Sequence, residues 1–252
     1  MPETPLPLDL NCDLAEGEPP AHTAALLAGV SSANVACAGH AGSRDAMRHA
    51  LALGQSLGVA LGAHPGRPGG FGRTAVTGFT GPDLRALLDE QIGRFLELAA
   101  AAGSALHHVK LHGSLYHATE HDPSLRAAFI DWLRSHTPQA IVYARAGGST
   151  VADARRAGLT AWDEGFADRA YRADGSLVPR DHPGAVITSA TAVTERVARL
   201  ARGQPIATVD GLPLRLDVRT LCLHGDSPES LTLLAAARQG LEASSPGTRP
   251  PA

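Results

Sequence analysis

Asp9-Leu10-Asn11-Cys12-Asp13-Leu14-Ala15-Glu16-Gly17 alternates polar and apolar side chains before it breaks at a glycine. In an extended chain, successive side chains point to opposite faces. Asp9, Asn11 and Asp13 therefore share one face, and Leu8, Leu10 and Cys12 the other. The first strand of a parallel α/β barrel would look like this, its apolar face under helices and its polar face turned inward. The C-terminal ends of such strands are where barrel chemistry sits. A solvated edge strand leading into a helix cap would also fit, so the rest of the chain has to decide.

Outward from this stretch, short β-like runs alternate with longer helical ones. Strands are predicted over 6–11, 32–36, 59–63, 108–111, 140–144, 159–162 and 219–223. Apolar residues at helical spacing predict helices over 43–57 and 82–102, with further helices over 122–135, 148–157, 189–202 and 227–242. Thr80-Gly81-Pro82-Asp83 suits a helix start, with proline in the first turn. Residues 206–216, turning at Asp210-Gly211, read as a hairpin. Strand–helix alternation implies a parallel sheet. Seven such units without a linker or composition shift favour one α/β domain, a TIM-like (β/α) barrel of seven strands, over residues 1–242. The tail 243–252, rich in Ser and Pro, is expected to be disordered.

Composition narrows the function. The chain has 252 residues, 44% of them hydrophobic, enough for a sizeable core. A formal net charge of −3 and 4% aromatics lack the basic footprint and stacking platforms of a nucleic-acid binder. No uninterrupted apolar run of about eighteen residues suggests a membrane span, and the acidic, proline-rich start does not resemble a signal peptide. Cys12, Cys37 and Cys222 are odd in number and widely spaced, which points to a reducing, cytoplasmic setting. Lys110 is the single lysine among 22 basic residues.

The unusual polar residues fall at predicted strand ends. Asn11, Asp13 and Glu16 follow the first strand, and Asn34 and His40 the second. His64 closes the third, ahead of a Gly/Pro-rich loop ending in Arg73, which either clamps a carboxylate or lies on the surface. Lys110 and His112 share a face of the fourth, where a buried lysine needs a carboxylate partner such as Asp13 or Glu16. Asp163 ends the sixth strand, ahead of a polar segment over 171–180 that reads as a lid or a solvated loop. His224 and Asp226 end the last. Each strand-end histidine alone is as consistent with structure as with function. Together with Asp13, Glu16 and Lys110 they make a polar ring suited to acid–base chemistry or to a metal. His49, His121 and His136 fall on helices and are expected to be exposed. No H-E-x-x-H, CxxC or G-x-x-x-x-G-K-[ST] pattern occurs, so neither a specific metal nor a phosphate loop is indicated.

Taken in order, these segments resemble the LamB/YcsF family. Its members show D-L-N-x-D-x-G-E, S-A-N-x-A-C-G-x-H-A-G, G-A-H-P, G-F-G-R, V-K-x-H-G-x-L-Y, E-x-F-A-D-R-x-Y, D-G-x-L-V-x-R and H-G-D-x-P. The counterparts here lie at 9–16, 32–42, 62–65, 70–73, 109–116, 164–171, 174–180 and 224–228. Ala15 stands where glycine is usual, Ala38-Gly39 where Gly-Phe is usual, and Leu111 where proline is common; the loop after His64 is short.

The resemblance implies a distorted barrel related to sugar deacetylases. It also implies a part in the ATP-dependent opening of 5-oxo-L-proline to L-glutamate, with ATP as its magnesium complex and two allophanate-hydrolase-like partner subunits, B and C. On that reading Asp13, Glu16, His40, His64, Lys110 and His112 are the catalytic candidates. Asp13 or Glu16 would be the base, His112 its acid–base partner and Lys110 the holder of developing negative charge. Asn11, Asn34, Arg73, Asp163, His224 and Asp226 are the substrate-binding candidates, with Arg73 or Asn34 on the substrate carboxylate. The alternatives are a metal-dependent amidohydrolase or deacetylase with Asp13, His40 and His64 as ligands, and a non-catalytic substrate-binding subunit.

Overall fold

The computed structural model describes residues 8–74 and 76–244. Positions 6 and 7 of the predicted first strand, and 245–252 of the predicted tail, lie outside the described residues. Seven parallel strands close a barrel: β1 (Asp9–Leu14), β2 (Ser32–Ala36), β3 (Ala60–His64), β4 (His108–Val109), β5 (Ile141–Arg145), β6 (Ala161–Phe166) and β9 (Thr220–His224). β7 (Ile206–Ala207) and β8 (Pro213–Leu214) form the expected antiparallel hairpin, inserted before the last barrel strand. Closure comes from β9, which pairs with β1 on one side and β6 on the other.

Around the barrel lie α1 (Pro20–Leu27), α2 (Arg44–Leu57), α3 (Gly81–Ala101), α4 (Gly113–His121), α5 (Pro123–His136), α6 (Ser149–Arg156), α7 (Ala190–Ala201) and α8 (Ser230–Glu242). Local chemistry sets their starts. Ser43 caps α2 by accepting from the Ala46 amide, and Asp122 caps α5 by accepting from Ser124 and Leu125. Thr80 and Asp83 form a capping box on α3.

Two helices escape the sequence reading. α1 opens on Pro19-Pro20, which looks like a breaker, but proline is tolerated in the first helical turn, where its missing N–H costs nothing. α4 opens on Gly113, at φ 52°, where an added Cβ would sit 2.6 Å from the Gly72 carbonyl oxygen. That glycine turns the chain off β4 straight into a helix.

Boundaries also move, and β6 runs Ala161–Phe166 rather than 159–162. β1 runs Asp9–Leu14 rather than 6–11 because pairing with β2 continues through Leu14. Regular pairing of β4 stops at Val109, although Lys110 and His112 still donate their amides to Ala63 and Pro65 carbonyls at 3.1 and 2.8 Å. α8 starts at Ser230, after a turn over 227–229.

The predicted alternation of β1 holds. Leu10, Cys12 and Leu14 are buried in the hydrophobic cluster that unites sheet and helices. Asn11 and Asp13 project into the barrel, which is filled by polar layers instead of the branched apolar layers usual in such barrels. Asp9 closes the lowest layer, accepting from Ser32 and Thr220 hydroxyls.

Candidate active site

Above these layers, at the C-terminal ends of the strands, a cavity of about 480 Å³ opens. Asp13, His64, Lys110, His112 and His224 line it, with Arg73, Arg169 and Arg180 among the residues around them. The segment after β6 supplies a lid through Leu177, Val178 and Pro179. Two isolated bridges order that lid, Arg169 to Val186 and Tyr171 to Leu177. Arg169 ties it down by donating to the Val178 and Ala185 carbonyls at 2.6 and 3.3 Å.

Lys110 stands at the centre, 2% exposed. Its Nζ donates to Asp13 Oδ1 at 2.8 Å and to Cys222 Sγ at 3.0 Å, and lies 3.2 Å from Glu164 Oε1. Burial works against the ammonium, but Asp13, Cys222 and Glu164 together outweigh it and hold its pKa well above the ordinary lysine value. Burial likewise opposes ionisation of Asp13, and His64 and Lys110 outweigh it, so Asp13 stays a carboxylate. The carboxylate partner expected for this lysine is Asp13, not Glu16.

Glu16 belongs to a second group. Its Oε1 lies 2.9 Å from His40 Nε2, 3.2 Å from His112 Nδ1 and 3.8 Å from His64 Nε2. His112 Nδ1 and His64 Nε2 are 2.9 Å apart. The His40 and His112 rings stack with centroids 3.7 Å apart. Gly66 makes room for them, since an added Cβ there would come within 2.5 Å of His40 Nδ1. Burial pushes His112 down to about 4 despite its carboxylate neighbour. Glu16, His40, His64 and His112 are close enough to hold a metal ion, a convergence no local spacing reveals.

His224 forms a third group with Asp168. Its Nδ1 donates to Asp168 at 3.0 Å, which leaves Nε2 as the cavity-side nitrogen, 4.0 Å from Asp13 Oδ2. Burial raises the Asp168 pKa less than His224 lowers it, and the carboxyl sits below its ordinary value.

The structure separates the remaining candidates. Asn11 and Asn34 lie under the cavity floor with their amides committed to protein. Asn34 Nδ2 donates to Asn11 Oδ1 at 2.6 Å and Asp13 Oδ1 at 2.8 Å, and its Oδ1 accepts from His108 at 2.7 Å. They position Asp13 and do not face the cavity. Asp163 is on the outer face of β6, bonded to the Gly147 amide at 2.8 Å and paired with Arg155 at 2.6 Å. It is outside the pocket, and the inward residue is its neighbour Glu164. Arg73 and Asp226 meet each other at the rim, 2.7 Å apart, with Arg180 at 3.4 Å from the same carboxylate oxygen. His49, His121 and His136 are exposed, as expected.

The sequence reading missed Glu164 and Asp168. The alternation that selects Asn11 and Asp13 would have selected Glu164 if carried to β6. Asp168 has no such signal, because it sits on an irregular segment and reaches His224 across 56 positions.

Comparison with known proteins follows the same lines. A family model described as the LamB/YcsF family matches residues 8–251. The 5-oxoprolinase A subunit of Heliobacterium modesticaldum is 40% identical over 240 residues, 93% of this chain and 94% of that protein. The 5-oxoprolinase A subunit of Bordetella pertussis is 39% identical over 240 residues, 93% and 95% of the two chains. Among solved structures, a lactam utilization protein from Thermus thermophilus superposes with a TM-score of 0.86 at 33% identity, covering 95% of this chain and 97% of that one.

Proposed function

Since the chain belongs to the LamB/YcsF family, we propose that it is the A subunit of a 5-oxoprolinase and that its barrel cavity receives the lactam. The observation that carries the reading is the cavity's chemistry. A histidine oriented by a carboxylate faces a buried Lys110–Asp13 pair, below a rim of arginines. Arg180 and Arg73 suit the substrate carboxylate, since guanidinium groups pair with carboxylates in a planar, two-pronged way. Asp226 already occupies part of that rim, so it acts as a placeholder that the substrate carboxylate displaces.

A five-membered lactam is a stable amide, and its opening near neutral pH is weakly driven. Coupling to ATP supplies the drive. Transfer of the γ-phosphoryl group to the lactam oxygen releases ADP and makes the ring carbon electrophilic. Water adds to that carbon, and the C–N bond breaks as the nitrogen takes a proton. The resulting acyl phosphate takes up a second water to give glutamate and phosphate.

His224 Nε2 is the base for the attacking water, with Asp168 holding its other nitrogen protonated. Lys110 faces the oxygen on which negative charge accumulates. Asp13 keeps Lys110 charged and aimed. The chain carries no phosphate-binding loop, so the nucleotide, as its magnesium complex, is handled together with the partner subunits B and C, in the cytoplasm. Among the described residues no helix is long and apolar enough to cross a membrane.

The test is glutamate formation from 5-oxoproline and ATP by the purified chain, alone and with its partner subunits. Activity is expected only in the assembly, falling about 10²- to 10⁴-fold in His224→Gln. Robust turnover by the homogeneous chain alone would refute the division of labour.

A further inference from the structure

Glu16, His40, His64 and His112 have no assigned part in that scheme, yet they converge at the mouth of the barrel. The hydrogen bonds around them fix the ring nitrogens. His64 Nδ1 lies 2.8 Å from the Lys110 carbonyl oxygen, and His112 Nε2 lies 3.0 Å from the Phe71 carbonyl oxygen. A carbonyl oxygen only accepts, so both of these nitrogens carry the hydrogen. In neutral rings the inner nitrogens, His64 Nε2 and His112 Nδ1, are then bare lone pairs. They face each other at 2.9 Å, and His112 Nδ1 also faces Glu16 Oε1 at 3.2 Å. Three acceptors pointed at one another in a buried site repel unless a cation lies among them.

We propose that Glu16, His40, His64 and His112 bind one zinc ion, through Glu16 Oε1, His40 Nε2, His64 Nε2 and His112 Nδ1. Zinc bonds of 2.0–2.1 Å to nitrogen place tetrahedral ligand atoms about 3.3 Å apart. The measured separations of 2.9, 2.9, 3.2 and 3.8 Å bracket that edge length. Two of the three histidines donate their outer N–H to a backbone carbonyl, the arrangement that orients metal-bound imidazoles and raises their basicity.

The neighbouring cluster of Asp13, Cys222 and His224 is a poorer candidate. The Lys110 ammonium already lies among its ligands, 2.8 Å from Asp13 and 3.0 Å from Cys222. The two clusters thus divide the floor between a permanent ammonium and an exchangeable ion. This site does not depend on the identity of the substrate.

The experiment is calorimetric titration of the untagged, chelator-treated chain with Zn²⁺, paired with visible absorption of the Co²⁺-loaded protein. The expected result is one ion per chain and the intense absorption of tetrahedral cobalt. His40→Ala and Glu16→Gln should each weaken binding at least about a hundredfold, beyond the ten- to hundredfold typical of losing an outer-shell contact. His49→Ala, on an exposed helical face, should leave binding unchanged. A Zn²⁺ soak of wild-type crystals gives a readout that needs no variant: an anomalous peak bonded to the three ring nitrogens. No saturable binding, no peak there, or binding indifferent to both substitutions would overturn the proposal and leave a shared proton as the cation between the rings.

Discussion

Lys110 makes the clearest demand of any single residue. Its ammonium offsets two buried carboxylates, Asp13 and Glu164, neither more than 5% exposed. Removing one partner of a buried ionic group leaves the others uncompensated, at a cost of about 3–5 kcal/mol. Lys110→Met should therefore lower thermal stability by that order and reduce turnover of the assembled enzyme at least about a hundredfold. Lys110→Arg keeps the charge, but its planar fork cannot act as a point charge among Asp13, Cys222 and Glu164. It should lose comparable activity with less loss of stability. Melting temperature and turnover measured together separate the two effects, and near-normal turnover in either variant would remove Lys110 from the chemistry.

His108, fully buried under the cavity, makes a different demand. Burial, with repulsion from His107 and Lys110, holds its pKa well below 6.5. Its neutral ring donates to Asn34, which in turn orients Asp13. The folded state thus resists a proton that the unfolded chain accepts. The stability this provides is complete above about pH 6.5 and is lost as pH falls below it, at up to about 1.4 kcal/mol per pH unit. Melting temperature is expected to drop between pH 7 and pH 5. In His108→Gln, which keeps a donor for Asn34, that slope should flatten even if the variant starts less stable.

At the scale of elements, the turns that follow β1 and β2 carry strain. Ala15 at φ 61° and Ala38 at φ 52° hold left-handed conformations that favour glycine. These are two of the positions where the family pattern has glycine. Ala38→Gly should stabilise the protein by about 1 kcal/mol, because relief of backbone strain exceeds the extra entropy of glycine in the unfolded chain. Ala15→Gly should gain less, since the Ala15 methyl is buried and its burial contributes about 0.8 kcal/mol. Chemical denaturation of both variants tests the order.

The same elements show what a sequence discloses. Strand order and the inward face of β1 were legible because alternation with period two and capped amphipathic helices are local signals. Lys110 and His112 were legible for the same reason. The Asp168–His224 pair was not, because Asp168 lies on an irregular segment far from His224 in sequence; the polar ring was legible as a whole, but not that Glu16, His40, His64 and His112 meet as one group within it. Asp163 misled because it neighbours Glu164, and a one-residue shift along a strand exchanges inside for outside.

For the molecule as a whole, Arg73, Arg169 and Arg180 line the mouth of the cavity, and on the function proposed above Arg73 and Arg180 meet the substrate carboxylate. Raising ionic strength should weaken productive use of 5-oxoproline, seen as a rise in KM with little change in kcat, and Arg180→Ala should mimic this at low salt. An unchanged KM in that variant would place carboxylate recognition elsewhere.

Asp13 and His224 stand opposite each other in register although 211 positions separate them. During synthesis, six strands must therefore wait for the seventh. Until Thr220–His224 leaves the ribosome, β1 and β6 are open sheet edges, able to pair with other chains. Chains stopped before Thr220 should aggregate rather than accumulate as a smaller soluble barrel. The last strand to be made brings His224 to the cavity as it closes the barrel, so this chain cannot be half-built and active.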